Sequence, residues 1–289
     1  MLTFNSPAQD IIRQRFSCRT YNEAPIAAEK QAALADFIAQ LPPGPFGSRP
    51  RYSLVAATHA DRSSLRGLGT YGFINGATGF IIGALAESEK GLEDYGYLME
   101  AIILFATSQN LGTCWLGGTF TKSSFAARLN LRDDETIPAV TAIGEFINPD
   151  QKRQGIISRI ANARRRLPWN ELFFSDTFSV PLVRERSGDF HLPLAMVQIA
   201  PSASNKQPWR IVQARGGWHF FMQRTPGYRE DPLKRFLGLC DLQRLDMGIA
   251  MCHFELTAHE LGLPGGWKMV ETGLELPGNL TEYVASWVE

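Results

Sequence analysis

Four stretches carry the residue types that could hold a flat, anionic ligand. In Arg15-Phe16-Ser17-Cys18-Arg19-Thr20-Tyr21 the residues Arg15, Ser17 and Arg19 alternate, so an extended backbone turns all three the same way and sets a hydroxyl between two guanidinium forks. Such forks suit a phosphate monoester, which accepts paired N–H bonds. A second basic cluster, Arg164-Arg165-Arg166, stands just before Leu167-Pro168; it reads equally as a solvated charge run favoured by a helix C-terminus. In Pro201-Ser202-Ala203-Ser204-Asn205-Lys206-Gln207-Pro208-Trp209 two prolines fix the backbone at both ends of a short loop. Ser202, Asn205 and Gln207 supply side-chain donors and acceptors, and Trp209 adds an apolar plane. The same composition serves an ordinary turn into a strand. Finally, Leu111-Gly112-Thr113-Cys114-Trp115-Leu116-Gly117-Gly118 ends a helix at a glycine. Its paired glycines let bare backbone approach a ligand, or simply make a cap and turn.

The elements that must position these residues fall into two similar sets. A shift of 158 residues lays Pro43-x6-Pro50 on Pro201-x6-Pro208, Phe16-Ser17 on Phe174-Ser175 and, with one residue of slippage, Leu54-Val55 on Ile211-Val212. A shift of 150 lays Asn110-Leu111-Gly112 on Glu260-Leu261-Gly262. Each of these last triplets closes a long segment, Tyr95 to Gln109 and Leu242 to His259, whose apolar residues recur three and four apart as in a helix. Strand-like runs follow, Ala139 to Phe146 and Tyr283 to Val288. The pattern predicts a first half over 1–146, a basic linker over 147–169 and a second half over 170–289. The halves differ where chemistry is expected. Phe173 and Thr177 stand where the first half has Arg15 and Arg19, and Gly44, Gly47 and Arg49 stand where the second has Ser202, Asn205 and Gln207. A symmetric pair with two interfacial sites, fused into one chain, decays in this way to one composite site.

Composition narrows the function classes. The 289 residues carry a formal net charge of 0 and are 44% hydrophobic, so no bulk electrostatic case exists for nucleic acid or an anionic membrane. Met1 to Phe16 lacks an apolar signal-peptide core, and the run Gly79 to Ala86 is too short to span a bilayer; the expectation is a cytoplasmic protein. Four cysteines without a CxxC pair read as reduced and mostly buried. The histidines form no metal pattern, and His253 and His259 read as core or surface residues of the second long helix. Glu87 to Asp94 reads as a solvated loop that could act as a lid, and Trp218 to Met222 as an edge strand.

Taken together, Arg-x-Ser-x-Arg-x-Tyr, Ala-Pro-Ser-Ala-Ser-Asn-Lys-Gln-Pro-Trp and Leu-Gly-Thr-Cys-Trp-Leu-Gly-Gly resemble the nitroreductase family of FMN-dependent oxidoreductases, in particular its single-chain fused branch. The resemblance implies an α+β fold of two tandem divergent copies packed as an intramolecular pseudo-dimer, with antiparallel-rich central sheets flanked by helices and FMN at the seam. By position, Arg15 and Ser17 would meet the phosphate and ribityl end, Arg164 and Arg166 would close on the phosphate, and Arg19 would lie near the pyrimidine edge. Pro201, Ser202 and Ala203 would line the ring, with Asn205 and Gln207 holding the loop or reaching the ring. A backbone N–H of Leu116 or Gly117, beside Gly118, would point at the flavin N5, and Asn75 is the candidate for the family's polar contact after the first strand. The implied activity takes hydride from NADH or NADPH and reduces a small planar acceptor such as a nitroaromatic or quinone. No catalytic side chain is needed, since the chemistry belongs to the cofactor. The alternative is a flavin-binding protein without turnover.

Overall fold

A computed structural model describes residues 2, 4–58, 65–146, 165–228 and 240–289. Its first part contains α1 (Ala8–Gln14), α2 (Ala28–Ala39), β1 (Arg51–Ala56), β2 (Gly79–Ala86), α3 (Gly91–Ser108), β3 (Gly112–Leu116), α4 (Lys122–Leu129), β4 (Glu135–Thr136) and β5 (Val140–Gly144). The second part contains α5 (Trp169–Leu172), β6 (Phe173–Ser175), α6 (His191–Gln198), β7 (Trp209–Ala214), β8 (Gly217–Gln223), α7 (Leu242–Glu260), β9 (Gly266–Lys268) and β10 (Thr281–Val288), with 3-10 turns at Arg184–Phe190 and Ala203–Asn205.

Two sheets follow, one per part. The first runs β1-β2-β5-β3, with β4 also on β2, and is antiparallel throughout; the second runs β6-β7-β8-β10-β9, antiparallel except for the parallel pair β6/β7. Leaving β6 and β4 aside, the four-strand orders match: β1 with β7, β2 with β8, β5 with β10, β3 with β9. The apolar run of β2 is buried along seven of its eight residues, as a strand between two neighbours and under helices must be. Trp218 to Met222 is not at an edge as its sequence suggested. It forms β8, between β7 and β10, because the last strand of the chain returns to pair with it. The match of Phe16-Ser17 to Phe174-Ser175 also does not carry into equivalent positions: Ser17 bridges Thr113 of β3, whereas Ser175 lies in β6 against β7.

The long helices α3 and α7 cross with no side chain between them. A Cβ on Gly96 would strike the backbone of Leu245, and one on Gly248 would strike the backbone of Glu93 and Tyr97, so glycine is required at both positions. The contacts are reciprocal at a fixed offset, 93 to 245 and 96 to 248, which is the pattern of an isologous interface. Packing crosses the junction too. Ile11, Ile12, Tyr97, Leu98 and Ala101 enter the same apolar core as Trp209, Phe220, Met251 and Trp287, and Glu260 at the end of α7 accepts the N–H groups of Ala8 and Gln9 that open α1.

Helix α3 begins earlier than its apolar period indicates, at Gly91, and the expected solvated stretch is exposed only at Glu87 to Glu89. Glu93 and Asp94 are buried. Arg244 of α7 pairs with Glu93 at 2.6 Å, and Asp94 accepts the amides of Phe46 and Ser48, each at 2.8 Å. Their charge also complements the positive end of the helix. Among the described residues no helix is long and apolar enough to cross a membrane and no side-chain cluster could hold a metal ion. No disulfide joins the four cysteines, three of which are buried.

Candidate functional site

Helix α1 stops at Arg15, whose backbone turns to φ −57°, ψ 130°, and the chain then runs extended beside β3. Cys18 donates its N–H to the Thr113 carbonyl at 2.8 Å, and Asn75 donates to the Arg19 carbonyl at 2.9 Å. The predicted alternation holds over Ser17 to Arg19 only: Arg15, still at the end of α1, turns its side chain into the protein against Glu100, and Phe16 is exposed. Cys18 points into the core while Ser17 and Arg19 on either side are exposed, as a period of two requires. Burial pushes the Cys114 thiol of β3 up, and the charges of Arg19 and Arg15 pull it back. Asn75 meets this segment through its backbone, with the Tyr21 N–H on its carbonyl at 2.9 Å.

Beyond β3 the backbone of Gly117 runs against the start of α7. A Cβ there would lie 2.6 Å from a methyl of Leu242, so the bare backbone is needed for this approach. Leu116 is buried and Gly118 is exposed.

The double-proline loop arrives from the other half. Ser204, Asn205 and Gln207 adopt left-handed φ of 51°, 55° and 49°, conformations that cost free energy unless surrounding contacts fix them. The contacts are present. Ser202 Oγ accepts the Gln207 N–H at 2.9 Å, and Asn205 Nδ2 and Gln207 Nε2 donate to the Arg165 carbonyl at 2.8 and 3.2 Å. Gln207 Oε1 accepts the Leu167 N–H at 2.8 Å, and Asp246 of α7 accepts the Ala203 N–H at 2.9 Å. Of the two roles open to Asn205 and Gln207, these bonds are those of loop holding. The two amides fasten the segment Arg165–Leu167 onto the loop. Pro201, Ser202 and Ala203 are half-buried.

That fastening delivers Arg166. Its guanidinium donates to Asn205 Oδ1 and to the Ile199 carbonyl, both at 3.0 Å. Burial lowers its pKa, and the nearby charge of Arg15 lowers it further. Arg15 of the front half and Arg166, fastened to the rear half's loop at the end of the linker, thus act on each other as like charges, a repulsion that a bound anion would relieve. Arg164 lies outside the described residues.

Two residues absent from the sequence-level site stand directly behind it. Glu100 of α3 is fully buried, 3.7 Å from the Arg15 Nε; it accepts the Trp115 indole N–H at 2.7 Å and meets His253 Nε2 of α7 at 3.0 Å. The only hint in the sequence is one acid inside the apolar run Leu98-Met99-Glu100-Ala101-Ile102. Asp246 is buried as well, and burial raises its pKa well above the usual carboxylate range. Two cavities elsewhere, one of about 840 Å³ between α2 and β1 and one of about 270 Å³ beside Gly76 and Thr78, are lined by none of the predicted site residues.

Comparison with known proteins adds the following. A solved structure from Thermotoga maritima, described as a "putative nitroreductase", is 18% identical, with a TM-score of 0.61 over 99% of this chain and 95% of that one. Smaller relatives match about half of this chain. One is a nitroreductase family protein from Clostridium novyi (19% identity, TM-score 0.39, 51% of this chain and 89% of its own). Another, from Desulfovibrio desulfuricans and described in complex with FMN, is 22% identical (TM-score 0.39, 50% and 89%). Among curated proteins none matches the chain. The family model described as "Putative TM nitroreductase" matches residues 9–258, and the chain belongs to that family.

Proposed function

We propose that this protein is an FMN-dependent oxidoreductase with one composite cofactor site per chain, built across an intramolecular pseudo-dimer. The observation that carries the reading is that Arg15 of the front half and Arg166, held at the end of the linker by the Asn205 side chain of the rear half, lie close enough for the charge of one to act on the other. Two guanidiniums fit a phosphate monoester, and Ser17 is proposed as a further hydroxyl donor to it. Arg164 is proposed as a further phosphate ligand. The half-buried Pro201–Ala203 edge and the exposed Gly118 give a planar ring room to lie against backbone. Arg19 is proposed at the ring's pyrimidine edge, where a cation favours negative charge. Bound FMN would supply the hydride-accepting ring, and no side chain is assigned an acid or base role.

Hydride is taken from NADH or NADPH, and a small planar acceptor such as a nitroaromatic or quinone is reduced. The described residues contribute binding and orientation: Asn205 and Gln207 set Arg166, and Gly117 keeps the strand end open to close approach.

The test is optical. Purified protein mixed with FMN should retain yellow colour through gel filtration, and that absorption should bleach on adding NADH or NADPH and return with a nitroaromatic. Protein that retains no FMN refutes the cofactor assignment. Retained FMN that neither dinucleotide bleaches leaves a flavin-binding protein without turnover.

A further inference from the structure

We infer that Glu100 is a positioning residue: shared between His253 of α7 and Arg15, it aims the Arg15 guanidinium into the seam and thereby sets the preference of the site for a phosphorylated ligand. The inference rests on the proposed function in one respect, that Arg15 meets the phosphate.

The geometry begins with His253, which is fully buried. Its Nδ1 lies 3.0 Å from the Met196 carbonyl. A carbonyl can only accept, so Nδ1 carries a hydrogen. On the other side Nε2 lies 3.0 Å from Glu100 Oε1, and this contact closes with a single proton on one atom or the other. With Glu100 ionised the ring is an imidazolium; with Glu100 protonated the ring is neutral. The pair has zero net charge either way. Glu100 Oε2 is occupied by the Trp115 indole at 2.7 Å, which leaves the Oε1 side to face Arg15 Nε at 3.7 Å. The side chain of Arg15 is only 7% exposed, so it cannot swing to solvent without breaking this contact.

The internal comparison points the same way. The offset of the crossing glycines, 96 to 248, carries Trp115 to Trp267 and Glu100 to Cys252. The rear tryptophan has found another carboxylate, Glu255, at 2.7 Å, so an acid is not needed at position 100 merely to satisfy an indole. His253 corresponds to Ala101. The buried Glu–His pair therefore occurs on one side of the crossing alone, the side on which Arg15 enters.

Because the pair is neutral overall, Glu100→Gln changes the net charge of the cluster by nothing. His253 becomes neutral and accepts from the new amide nitrogen, Trp115 keeps the amide oxygen as acceptor, and Arg15 meets a donor where it had an acceptor. FMN and riboflavin differ by the phosphate, so the ratio of their dissociation constants isolates the aim of Arg15. In E100Q the preference for FMN over riboflavin should fall about tenfold, through weaker FMN binding with riboflavin affinity unchanged. An unchanged ratio in a folded E100Q overturns the inference while leaving the FMN assignment standing. Absence of FMN binding by the unmodified protein refutes the proposed function and this inference with it. A second measurement needs no variant. In the ¹⁵N-arginine spectrum of the unmodified protein, the Arg15 Nε–H should exchange slowly and should shift on adding FMN but not riboflavin. A rapidly exchanging Arg15 Nε–H overturns the inference even if E100Q fails to fold.

Discussion

Replacing Gly248 by alanine tests the helix crossing on which the proposed composite site depends. A Cβ at 248 would lie 2.7 Å from the Tyr97 nitrogen and closer still to the Glu93 carbonyl oxygen, whereas real Cβ contacts essentially never fall under 3.0 Å. Both obstacles are backbone, so no rotamer change relieves them and the helices must part by roughly 1 Å, which forfeits a quarter to a half of each dispersion contact across the gap. Tyr97 and Leu98 of α3 share one buried core with Met247 and Met251 of α7, so parting the helices loosens that core. Overpacking of a buried site costs about 1–3 kcal/mol, and rigid backbone places this one at the upper end. Alanine returns about 1 kcal/mol of helix propensity. The expected net loss is about 2 kcal/mol, read as a lower urea midpoint with unchanged slope. Gly96→Ala, its reciprocal, should cost a similar amount, and the double variant less than the sum, because the helices part only once. A Gly248→Ala protein as stable as the unmodified one, or more so, would show that α3 and α7 do not touch backbone to backbone.

Other expectations follow from single contacts. Arg15→Ala and Arg166→Ala should each weaken FMN binding by about 1.5–3 kcal/mol, as for a charged hydrogen bond; titration of flavin fluorescence that yields the unmodified dissociation constant would remove the residue from the site. Asp94→Ala strips the acceptor from the Phe46 and Ser48 amides and should lower stability by about 2–4 kcal/mol, measurable by urea denaturation, with FMN affinity per folded molecule little changed. The Arg51 guanidinium, paired twice with Glu135, holds that carboxyl near 2 against an ordinary 4.5. A carboxylate with a depressed folded pKa stabilises above about 4.5 and loses that contribution as pH falls towards 2. The stability difference between the unmodified protein and Arg51→Met should therefore shrink between pH 6 and about 3, and a constant difference would count against the ion pair.

Much of this architecture was legible in the chain because it is periodic or stiff. The apolar recurrence of α3 and α7 and the paired prolines announce themselves whatever surrounds them. What remained hidden depends on partners distant in sequence. Glu93 and Asp94 look like solvated charges until Arg244 and the 44–48 loop are brought to them. Glu100 and His253 are unremarkable alone and acquire meaning only where two helices cross, 153 positions apart. Trp218 to Met222 reads as an edge because nothing local shows that β10 will pair with it. The amide-rich loop stands out in the sequence, but its amides turn to a neighbouring segment of the chain. Asn205 and Gln207 are spent on the Arg165–Leu167 backbone, and their contribution to an anion site is made through Arg166.

The two double-proline loops also differ in a way that fits the single site proposed above. Asp94 and Asp246 occupy corresponding places on α3 and α7, at the same offset as the crossing glycines, and each reaches up to its own loop. In the front copy both carboxylate oxygens are used, by the Phe46 and Ser48 amides, and the Asp94 side chain fills the space a Cβ on Gly44 would need. That loop is closed on its helix. In the rear copy Asp246 Oδ1 takes the Ala203 amide, while Oδ2 is buried with no partner among the described residues. A buried, half-satisfied carboxyl disfavours its charge, in agreement with the raised pKa of Asp246. The left-handed turns at Ser204, Asn205 and Gln207 direct the rest of the loop outward to hold Arg165–Leu167 instead. The difference between the halves is thus one of hydrogen-bond direction: an aspartate that seals its loop in front, and one that lets its loop serve an arginine behind.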